Sequence, residues 1–589
     1  MQNFNGTLID TDVLVIGAGA GGLFAALSAK RNGPPGTRVT LLDAWQAGRC
    51  GHTAFSNAWT VVVTPDDDLD LITREIIAGN DLVCDQALVR ETLATSYDRL
   101  KDMEAFEMTF AKNEKGQYIR RPTRGLDATR VMHPDGGGLE FSWRMRLGLE
   151  TAGVQILDRI FVTGLMRGAN GDGVIGAVGI NSRSGDFHVL KARTTIVCTN
   201  AITFRSGFVR DLTGTGTLLA YKAGAKLRNM EFSYTRPSTP RFYFEGIAFA
   251  IQEGERFMPQ YEPQWGDESD VPRIARAMAI ERQKGNDPLY LDMSGVPEEK
   301  REYFIQSKVK WMEYFYRKLG KETRTDMFGS APYYALNQMT KGGVATGADC
   351  RSGVPGLLVG GLAQAGACNH FAGFHIGMCI GTGWAAGKSA IEDLQKLAAP
   401  KLDSTEVHAL HAETYRECND AAEARSDQAL KSLQQLMFAY DVSVWKRGDR
   451  LQAAQVRLEE VKAEFAACSA PHTHELVRMK ETEAMLLAAD LILRASIMRT
   501  ESRMSHFRED FDSRDDKNWL QWIDIQDEKG APRFTKTPIP TPILAPGEPA
   551  NKAVQRVVRG AAQVGCRPWA CRSGWPAPQA DAAGNLPLH

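Results

Sequence analysis

The sequence lacks any pair of cysteines with a spacing that suits a metal or a cluster. Its 589 residues include ten cysteines, but they are scattered along the chain and no CxxC pair occurs. This distribution argues against an iron–sulfur cluster or a zinc site held within the chain, and it indicates reduced thiols.

The sequence also has almost no net charge and no recognisable signal peptide at its start. Lys and Arg number 70 and Asp and Glu 71, which leaves a net charge of −1. No overall basic surface is therefore expected to attract nucleic acid or an anionic membrane. The first residues are polar and contain no basic, apolar and cleavage-site pattern, which predicts a cytoplasmic protein. The uncharged segment from Gly353 to Gly387 contains ten glycines, which favours a backbone wrapped around a ligand over a membrane span.

The stretch from Asp12 to Asp43 reads as strand, glycine turn, helix and second strand. The apolar run Val13–Ile16 is typical of a buried parallel strand. It is followed by GxGxxG, in which the first glycine permits the tight turn, the second lets the backbone approach a pyrophosphate and the third lets the helix pack closely. Asp43 closes the second strand, where an acid accepts a hydrogen bond from a ribose hydroxyl. The pattern predicts a dinucleotide and leaves FAD and NAD open. The predicted contacts are Gly17, Gly19, Ala20, Gly21, Gly22, Asp43 and Ala44.

The loop Gly48-Arg49-Cys50-Gly51-His52-Thr53 resembles the flavoprotein subunits of succinate dehydrogenase and fumarate reductase, the FAD-dependent oxidoreductase 2 type. In that family a Ser-His-Thr triplet supplies a histidine bonded covalently to the flavin. The resemblance implies FAD as the cofactor, with contacts from Gly51, His52 and Thr53. His52 is the candidate for a covalent bond, and the alternative is that it only hydrogen-bonds the flavin or the loop.

Three later segments extend the resemblance. Thr199-Asn200-Ala201 and Thr213-Gly214-Thr215-Gly216 are similar to the family's ATGG and TGDG, although two glycines and an acid are replaced. The run Gly366–Gly373 resembles Gly-Ala-Asn-Arg-Leu-Gly-Gly. Leu362 stands where the family has a flavin-binding acid, so the ribityl contact must come from elsewhere. The FAD contacts that these segments imply are Thr199, Asn200, Gly214, Gly216, Gly361, Ala372 and Gly373.

The substrate residues of the dicarboxylate enzymes are changed. After Asn229–Phe232, which is similar to DMEF, Arg236 stands at the position of the family's histidine. Gln338 replaces the second substrate histidine, and His370 replaces the substrate-binding arginine. The stretch with the proton donor of fumarate reductases is absent. The resemblance therefore implies a substrate site that differs from a standard succinate or fumarate site.

Two short segments resemble the alpha subunit of adenylylsulfate reductase. They are Gly366-Ala367 with His370 and His375, and Pro240-Arg241-Phe242. An arginine fork suits a carboxylate, sulfite or phosphate, so these arginines indicate an anion. The alternatives are that the arginines lie on the surface of a cap and that the histidines hydrogen-bond buried carbonyls. The candidate catalytic residues are Arg236, Arg241, Gln338, His370 and His375.

These observations predict an α/β fold with a Rossmann-like FAD-binding domain, an inserted α+β capping domain and a C-terminal helical bundle. The FAD-binding domain is expected at 1–228 and 341–397, the cap at 229–340 and the bundle at 404–522. Apolar spacing predicts a bundle helix over Leu451–Phe465 and another over Glu475–Phe507. The charged motifs from Arg499 to Leu520 are expected to form solvated or interdomain pairs. An extended proline-rich tail is expected at 523–589, and its part from Asn551 onward is expected either to dock a partner subunit or to be disordered.

The resemblance implies a flavoprotein subunit that exchanges two electrons between a small anionic substrate and a separate carrier, such as an iron–sulfur ferredoxin-like protein, in a hetero-oligomer. One alternative is an oxidoreductase of sulfur compounds similar to adenylylsulfate reductase. Another is a catalytically idle, FAD-bearing scaffold of an electron-transfer complex. No metal, nucleic acid or membrane span is predicted.

Overall fold

The computed structural model describes residues 6–168, 173–205, 212–238, 248–250, 255–292, 330–332, 334–366, 373–418 and 426–550. The strands are β1 (Gly6–Ile16), β2 (Val39–Leu42), β3 (Thr60–Val61), β4 (Arg121–Pro122), β5 (Arg130–Met132), β6 (Gln155–Leu157), β7 (Ile160–Arg167), β8 (Val174–Asn181), β9 (Phe187–Val197), β10 (Leu227–Arg228), β11 (Ser233–Ser238), β12 (Ala248–Ala250), β13 (Tyr290–Asp292), β14 (Ser330–Pro332), β15 (Tyr334–Thr340), β16 (Gly343–Val344), β17 (Leu357–Val359), β18 (Gln521–Glu528) and β19 (Ala531–Pro538). The α-helices are α1 (Ala20–Asn32), α2 (Gly51–Phe55), α3 (Leu69–Gly79), α4 (Gln86–Ala94), α5 (Ser96–Ala105), α6 (Gly137–Thr151), α7 (Thr215–Lys222), α8 (Met258–Tyr261), α9 (Val271–Gln283), α10 (Phe374–Leu394), α11 (Ser404–Thr414), α12 (Ser426–Phe438), α13 (Tyr440–Ser443), α14 (Gly448–Ala466), α15 (Thr473–Met498) and α16 (Asp516–Trp519). In this part of the chain, no helix has the length and apolar character needed to cross a membrane.

The main sheet confirms the predicted α/β class. Its strand order is β6-β2-β1-β9-β8-β7, with β17 also paired to β9. Strands β6, β2, β1, β9 and β17 run parallel, whereas β7 and β8 form an antiparallel meander with β9. The carboxyl ends of β1 and β9 lie side by side, because Ile16 pairs with Val197. In parallel sheets this edge is where ligands bind.

Two strands are longer than the sequence predicts. β1 starts at Gly6 rather than Val13, because its first residues pair with β9 from Phe187 onward. The strand expected at Thr194–Cys198 is likewise the end of the longer β9. The first five residues of β1 are exposed or half-buried, so a criterion based on apolar runs misses them.

Helices α1 and α10 cross through glycines at the centre of the molecule. A Cβ atom on Gly383 would lie 2.1 Å from the carbonyl oxygen of Gly21, and one on Gly387 would lie 2.3 Å from that of Ala25. The Ser28 hydroxyl also donates to the Trp384 carbonyl at 2.7 Å. The glycines of the uncharged segment therefore serve helix packing, and the expectation that its whole backbone wraps a ligand is wrong for this half.

The cap and the C-terminal segment contribute smaller sheets. β11 pairs antiparallel with β15, and β12, β13 and β14 form a second antiparallel sheet. β18 and β19 form a hairpin that joins β10 and β16. The segment predicted as an extended tail thus begins inside a sheet. The predicted domain boundaries stay predictions.

The predicted helical bundle is present, although one helix is shorter than expected. α12, α14 and α15 pack around a core that includes Leu433, Leu451, Leu458 and Leu491. α15 ends at Met498 rather than Phe507. The next residue, Arg499, is extended and fully buried, so tertiary contacts override the helical spacing there.

Arg499 lies at the centre of a buried ionic network that joins the bundle to the base of the cap. Its Nε donates to Glu231 at 2.7 Å and its Nη1 donates to Glu501 at 2.7 Å. Glu501 accepts two hydrogen bonds from Arg503, at 2.8 and 2.7 Å. All four side chains are fully buried. These pairs are buried rather than solvated, and of the three it is Arg499–Glu231 that links the segment after the bundle to the base of the predicted cap. Removing one member of such a buried pair typically costs about 3–5 kcal/mol.

Lys446 extends this network. Its Nζ donates to the Glu231 carbonyl at 2.8 Å and lies 3.3 Å from both the Ser496 hydroxyl and the His506 Nδ1. Burial lowers the pKa of Lys446 to about 7; Glu231 opposes this shift, while Arg508 and Arg499 add to it. Burial also holds the pKa of His506 well below its usual value.

We expect the titration of Lys446 to make stability depend on pH. In the unfolded chain its pKa is about 10.4, so between pH 7 and 10 the unfolded state binds a proton that the folded state does not. This group therefore destabilises the fold below pH 7, and its contribution improves with rising pH by at most about 1.4 kcal/mol per unit. Lys446→Met should flatten the rise in urea midpoint between pH 7 and 9.5. Exposed Lys396→Met is the control, and equal slopes in wild type and Lys446→Met would contradict the assignment.

Candidate functional site

A cleft opens at the carboxyl edge of the main sheet. It lies between the glycine turn after β1, the end of β9, helix α2 and the 3₁₀ turn Gly361–Ala363, and it holds about 970 Å³ of empty space that is open to solvent. Thirteen of the residues predicted to bind the cofactor line it: Gly17, Gly19, Ala20, Gly21, Asp43, Ala44, Gly51, His52, Thr53, Thr199, Asn200, Gly216 and Gly361.

The glycine turn keeps side chains out of the cleft floor. Gly17 has φ +100°, and a Cβ there would lie 2.7 Å from the Cys198 carbonyl oxygen. A Cβ on Gly22 would lie 1.7 Å from the Gly17 carbonyl, so this glycine packs the helix against the turn and does not line the cleft. For a Cβ placed on Gly19, the contact within 4 Å that the described residues give is the Thr53 hydroxyl, at 3.6 Å. The middle glycine thus leaves room for a ligand at the positive end of α1.

Asp43 fixes the loops on both sides of the cleft. Its Oδ2 accepts from the Ala18 N–H at 3.0 Å, and its Oδ1 accepts from the Trp45 N–H at 2.9 Å and from the Cys50 thiol at 3.3 Å. The carboxylate therefore joins the glycine turn to the loop before α2. This positioning role was not expected from the sequence, which assigned Asp43 only to a ribose.

His52 and His375 lie side by side. His52 is in the short helix α2 and His375 is in the first turn of α10, and their ring centroids are 5.6 Å apart in an edge-to-face arrangement. A predicted cofactor residue and a predicted catalytic residue, which are far apart in the sequence, are thus brought together. Thr53 follows His52, and its hydroxyl accepts from the Ala20 N–H at 3.1 Å.

The end of β9 presents a hydroxyl group that fits a ligand. Thr199 Oγ1 is buried and has no hydrogen-bond partner within the described structure, although it lines the cleft. A Cβ on Gly216 would lie 2.4 Å from this oxygen, so Gly216 leaves the space that the hydroxyl occupies. Buried polar atoms are normally satisfied, and an unpaired hydroxyl facing a cleft is what a polar cofactor would satisfy.

The remaining predicted residues lie elsewhere. Gly214 and Gly373 precede helices α7 and α10 with φ +69° and +87° and do not line the cleft. Arg236 and Gln338 lie on the paired strands β11 and β15, for which the backbone is described. The positions Arg241, His370 and Ala372 lie outside the described residues.

Several cleft residues gave no sequence signal. They include the lining residues Trp45, Ile160, Phe161, Val162 and Leu219. Glu481 reaches the cleft from α15 and forms an ion pair with Arg205. No motif identifies Glu481, because its place in the wall depends on how the helical bundle packs against the FAD-binding region.

One part of the cleft wall is apolar where the family pattern has an acid. Leu362 lines it and packs against Ala201, Leu212 and Val271, the first residue of α9. The buried thiol of Cys379 also lines the cleft. Burial raises the pKa of this thiol to about 12, and the positive charge of Lys341 opposes the shift. Lys341 is 3% exposed, so a buried cation acts on the cleft wall.

Comparisons with known proteins account for this geometry. Residues 12–379 match the family described as FAD binding domain, and residues 430–552 match the one described as Fumarate reductase flavoprotein C-term. The chain belongs to the fumarate reductase and succinate dehydrogenase flavoprotein family. It is therefore an FAD-dependent oxidoreductase, and FAD is its cofactor. The glycine turn and the unpaired Thr199 hydroxyl fit that group, although the role of each residue in binding it stays a prediction.

Individual relatives are distant but similar over most of their length. A fumarate reductase (CoM/CoB) subunit from Methanothermobacter marburgensis is 26% identical over 86% of this chain and 95% of its own. Quinol fumarate reductase of E. coli has a TM-score of 0.80 at 19% identity, covering 93% and 99% of the two chains. Adenylylsulfate reductase from Archaeoglobus fulgidus has a TM-score of 0.75 at 19% identity, covering 91% and 97%. At these identities the two structures establish the fold alone.

We expect Asp43→Asn to weaken FAD binding. The amide keeps the size of the side chain but presents a neutral group to the Ala18 and Trp45 N–H groups, and a hydrogen bond to a charged acceptor is worth about 1.5–3 kcal/mol, roughly 10- to 100-fold in Kd. Quenching of FAD fluorescence by the flavin-free protein measures the Kd. Asp66→Asn, at an exposed site, is the control. An unchanged Kd for Asp43→Asn would contradict this role.

Proposed function

We propose that this chain is a flavoprotein subunit that exchanges two electrons between a small anionic substrate and a separate electron carrier such as an iron–sulfur protein. The bound FAD supplies the two-electron chemistry, and the residues of the chain bind, orient and shield the reacting groups. A cytoplasmic location stays a prediction.

The proposal that the substrate is an anion rests on the buried side chain of Lys341. The segment around it is tied to both neighbours: the Lys341 N–H donates to the Phe232 carbonyl at 2.8 Å and the Thr340 N–H donates to the Ile202 carbonyl at 2.8 Å. Gly342 packs against Met230, since a Cβ there would lie 2.6 Å from the Met230 Cα. These contacts fix the backbone of Lys341 between the cap base and the cleft. A cation held there stabilises an anion next to the flavin.

Arg236 supports the same conclusion from the cap. It lies three residues beyond Ser233, whose hydroxyl donates to the Ser443 carbonyl at 3.3 Å, so the base of β11 is anchored. Its strand pairs with β15, in which Gln338 lies three residues before Lys341. The strand pair β11–β15 thus carries both candidate substrate residues, and Lys341 directly follows the last residue of β15. A neutral Gln338 orients a substrate and does not supply a proton.

The separate carrier is supported by the relatives. The names of the M. marburgensis protein and of a Mycobacterium tuberculosis fumarate reductase flavoprotein, 24% identical over 91% of this chain, both describe subunits. A subunit of this kind delivers its electrons to another protein. The carrier would form a hetero-oligomer with this chain.

Sulfur chemistry is the second candidate. The likeness in fold to adenylylsulfate reductase covers 91% of the chain, and the apolar Leu362, which lines the cleft, stands where the family pattern has an acid. The third candidate is a catalytically idle, FAD-bearing scaffold. It predicts a different binding result, because an idle site would bind neither fumarate nor sulfite.

Titration of the wild type and of Lys341→Met with two different anions should separate these alternatives. Fumarate or sulfite is titrated into the FAD-loaded protein, and the visible spectrum of the flavin reports binding. We expect one of the two anions to change the spectrum, and Lys341→Met to raise its Kd by roughly tenfold, because a charge-assisted contact of about 1.5 kcal/mol is lost. Lys341→Arg, which retains the charge, should lie closer to wild type. If neither anion changes the wild-type spectrum, the scaffold hypothesis is favoured; equal Kd values would remove Lys341 from the site.

His52 is proposed as the covalent attachment point for FAD. Acid-precipitated holoprotein should then retain yellow flavin in the pellet, whereas His52→Ala should release it into the supernatant. His375→Ala, which alters the neighbouring ring, should still retain it. Complete release of flavin from the wild-type protein would leave His52 with the hydrogen-bonding role.

A further inference from the structure

A second cavity lies between helix α9 of the predicted cap and the C-terminal part of the chain. It holds about 370 Å³ of empty space, part of which is open to solvent, and none of its lining residues lines the cleft. Its wall comes from helix α9, from the end of helix α13, from the first residue of β11 and from the turn that leads to Phe507. We call it the α9 cavity, and it is distinct from the flavin cleft.

A rigid turn presents a hydroxyl group to the α9 cavity. Arg503 and His506 exchange two backbone hydrogen bonds, at 2.8 and 2.9 Å, and Met504 between them has φ +46°. Ser505 therefore lies at the tip of a tight turn, and it lines the cavity. Its hydroxyl is buried and has no hydrogen-bond partner among the described residues. Because buried hydroxyl groups are normally satisfied, a polar group inside the cavity is the partner that this one lacks.

Arg276 brings a positive charge to the same cavity. It lines the cavity and is also exposed to solvent, so its side chain stands at the opening. Its guanidinium carbon lies 4.7 Å from the centre of the Phe507 ring, and its side chain forms no ion pair or hydrogen bond with any residue that the structure describes. Phe507 in turn packs on Trp445, with ring centroids 4.5 Å apart. The stacked ring thus holds a guanidinium whose donors can bind a ligand.

The acidic residues near Arg276 do not occupy its guanidinium. Those whose charges act on it are Asp512, Asp81 and Glu262. Asp81 forms an ion pair with Arg514 at 3.3 Å, and Glu262 forms one with Arg273 at 3.1 Å. Two of the three carboxylates are therefore paired with other arginines. An anion that enters the α9 cavity would provide the close partner that Arg276 lacks among the described residues.

We propose that the α9 cavity is a binding site for a small carboxylate, separate from the substrate site. The Arg276 guanidinium and the Ser505 hydroxyl donate to the carboxylate oxygens. The short apolar part of the ligand packs on Ala275, Ala279 and Val444, which also line the cavity. The limited enclosed space suits a short-chain acid such as acetate.

A carboxylate bound there would join helix α9 to the C-terminal part. Arg276 lies on α9, whereas Ser505 lies in the turn after the bundle. The same helix also contacts the flavin cleft, because its first residue, Val271, packs beside Leu362 of the cleft wall, and the next residue, Pro272, lines the α9 cavity. Binding should therefore stabilise the folded protein and the position of α9 beside the cleft.

Acetate is the probe for this site. Saturation-transfer NMR of its methyl group gives the Kd for the FAD-loaded protein, and the thermal midpoint reports stabilisation. Acetate should raise the midpoint more than chloride does at equal ionic strength. Arg276→Gln should raise the acetate Kd roughly tenfold, because a charge-assisted hydrogen bond is lost. Arg273→Gln, on the same helix but outside the cavity lining, is the matched control and should stay within about twofold of wild type.

Ser505→Ala separates a binding role from a structural one. Without acetate it should leave the thermal midpoint unchanged or higher, since it removes a buried hydroxyl that has no partner. It should also raise the acetate Kd about threefold. A midpoint that falls equally with and without acetate would contradict the binding role.

Three further results would overturn the proposal. They are an absence of saturation transfer to acetate in the wild type, equal stabilisation by chloride and acetate, and equal effects of Arg273→Gln and Arg276→Gln on the Kd. Acetate that binds in the flavin cleft instead would respond to Lys341→Met and not to Arg276→Gln, which would also overturn it. Fumarate and sulfite titrations of the flavin spectrum test the proposed function independently of this cavity.

Discussion

The contact between helices α1 and α10 is the constraint on which the site depends. Backbone touches backbone there: a Cβ on Gly21 would lie 2.9 Å from the Gly361 Cα, and one on Gly383 would lie 2.1 Å from the Gly21 carbonyl oxygen. Such an approach is open only to glycine. It brings the turn after β1 against the 3₁₀ turn after β17, which are more than 300 residues apart in the chain. The cleft exists because these two turns meet, and α10 also carries His375 to the ring of His52.

Local signals predicted the parts of the fold that local interactions determine. The strand–turn–helix unit around Gly17–Gly22, the main sheet class and the bundle were recognisable because apolar spacing and glycine geometry act within a few residues. Element ends were predicted less well, and the reason is tertiary. β1 is extended by pairing with β9, and α15 stops at Met498 because Arg499 binds Glu231 and Glu501. A continuous helix would also satisfy the sequence pattern; only the buried partners exclude it.

In the candidate site too, the residues that belong to local motifs could be predicted and those brought in by tertiary packing could not. The glycine turn, Asp43 and the loop of His52 could be identified because motif and contact coincide in the sequence. Glu481 and Ile160–Val162 reach the cleft from distant elements and belong to no motif. Asp43 was only partly predictable. Its position at the end of β2 could be predicted from the sequence, whereas its hydrogen bonds with Ala18, Trp45 and Cys50 are seen only in the three-dimensional structure. Residues in a wall built from several elements are the ones that sequence reasoning misses.

The buried network around Arg499 holds the base of the cap in place. Glu231 precedes β11 by two residues, so its ion pair with Arg499 fixes the base of the strand that carries Arg236. The returning strand β15 is fixed at Thr340 and Lys341 by hydrogen bonds to Ile202 and Phe232. Both strands are therefore anchored at their bases. The backbone positions of the two candidate substrate residues on this strand pair, Arg236 and Gln338, therefore depend on contacts with the segment that carries Arg499 and with the segment after β9.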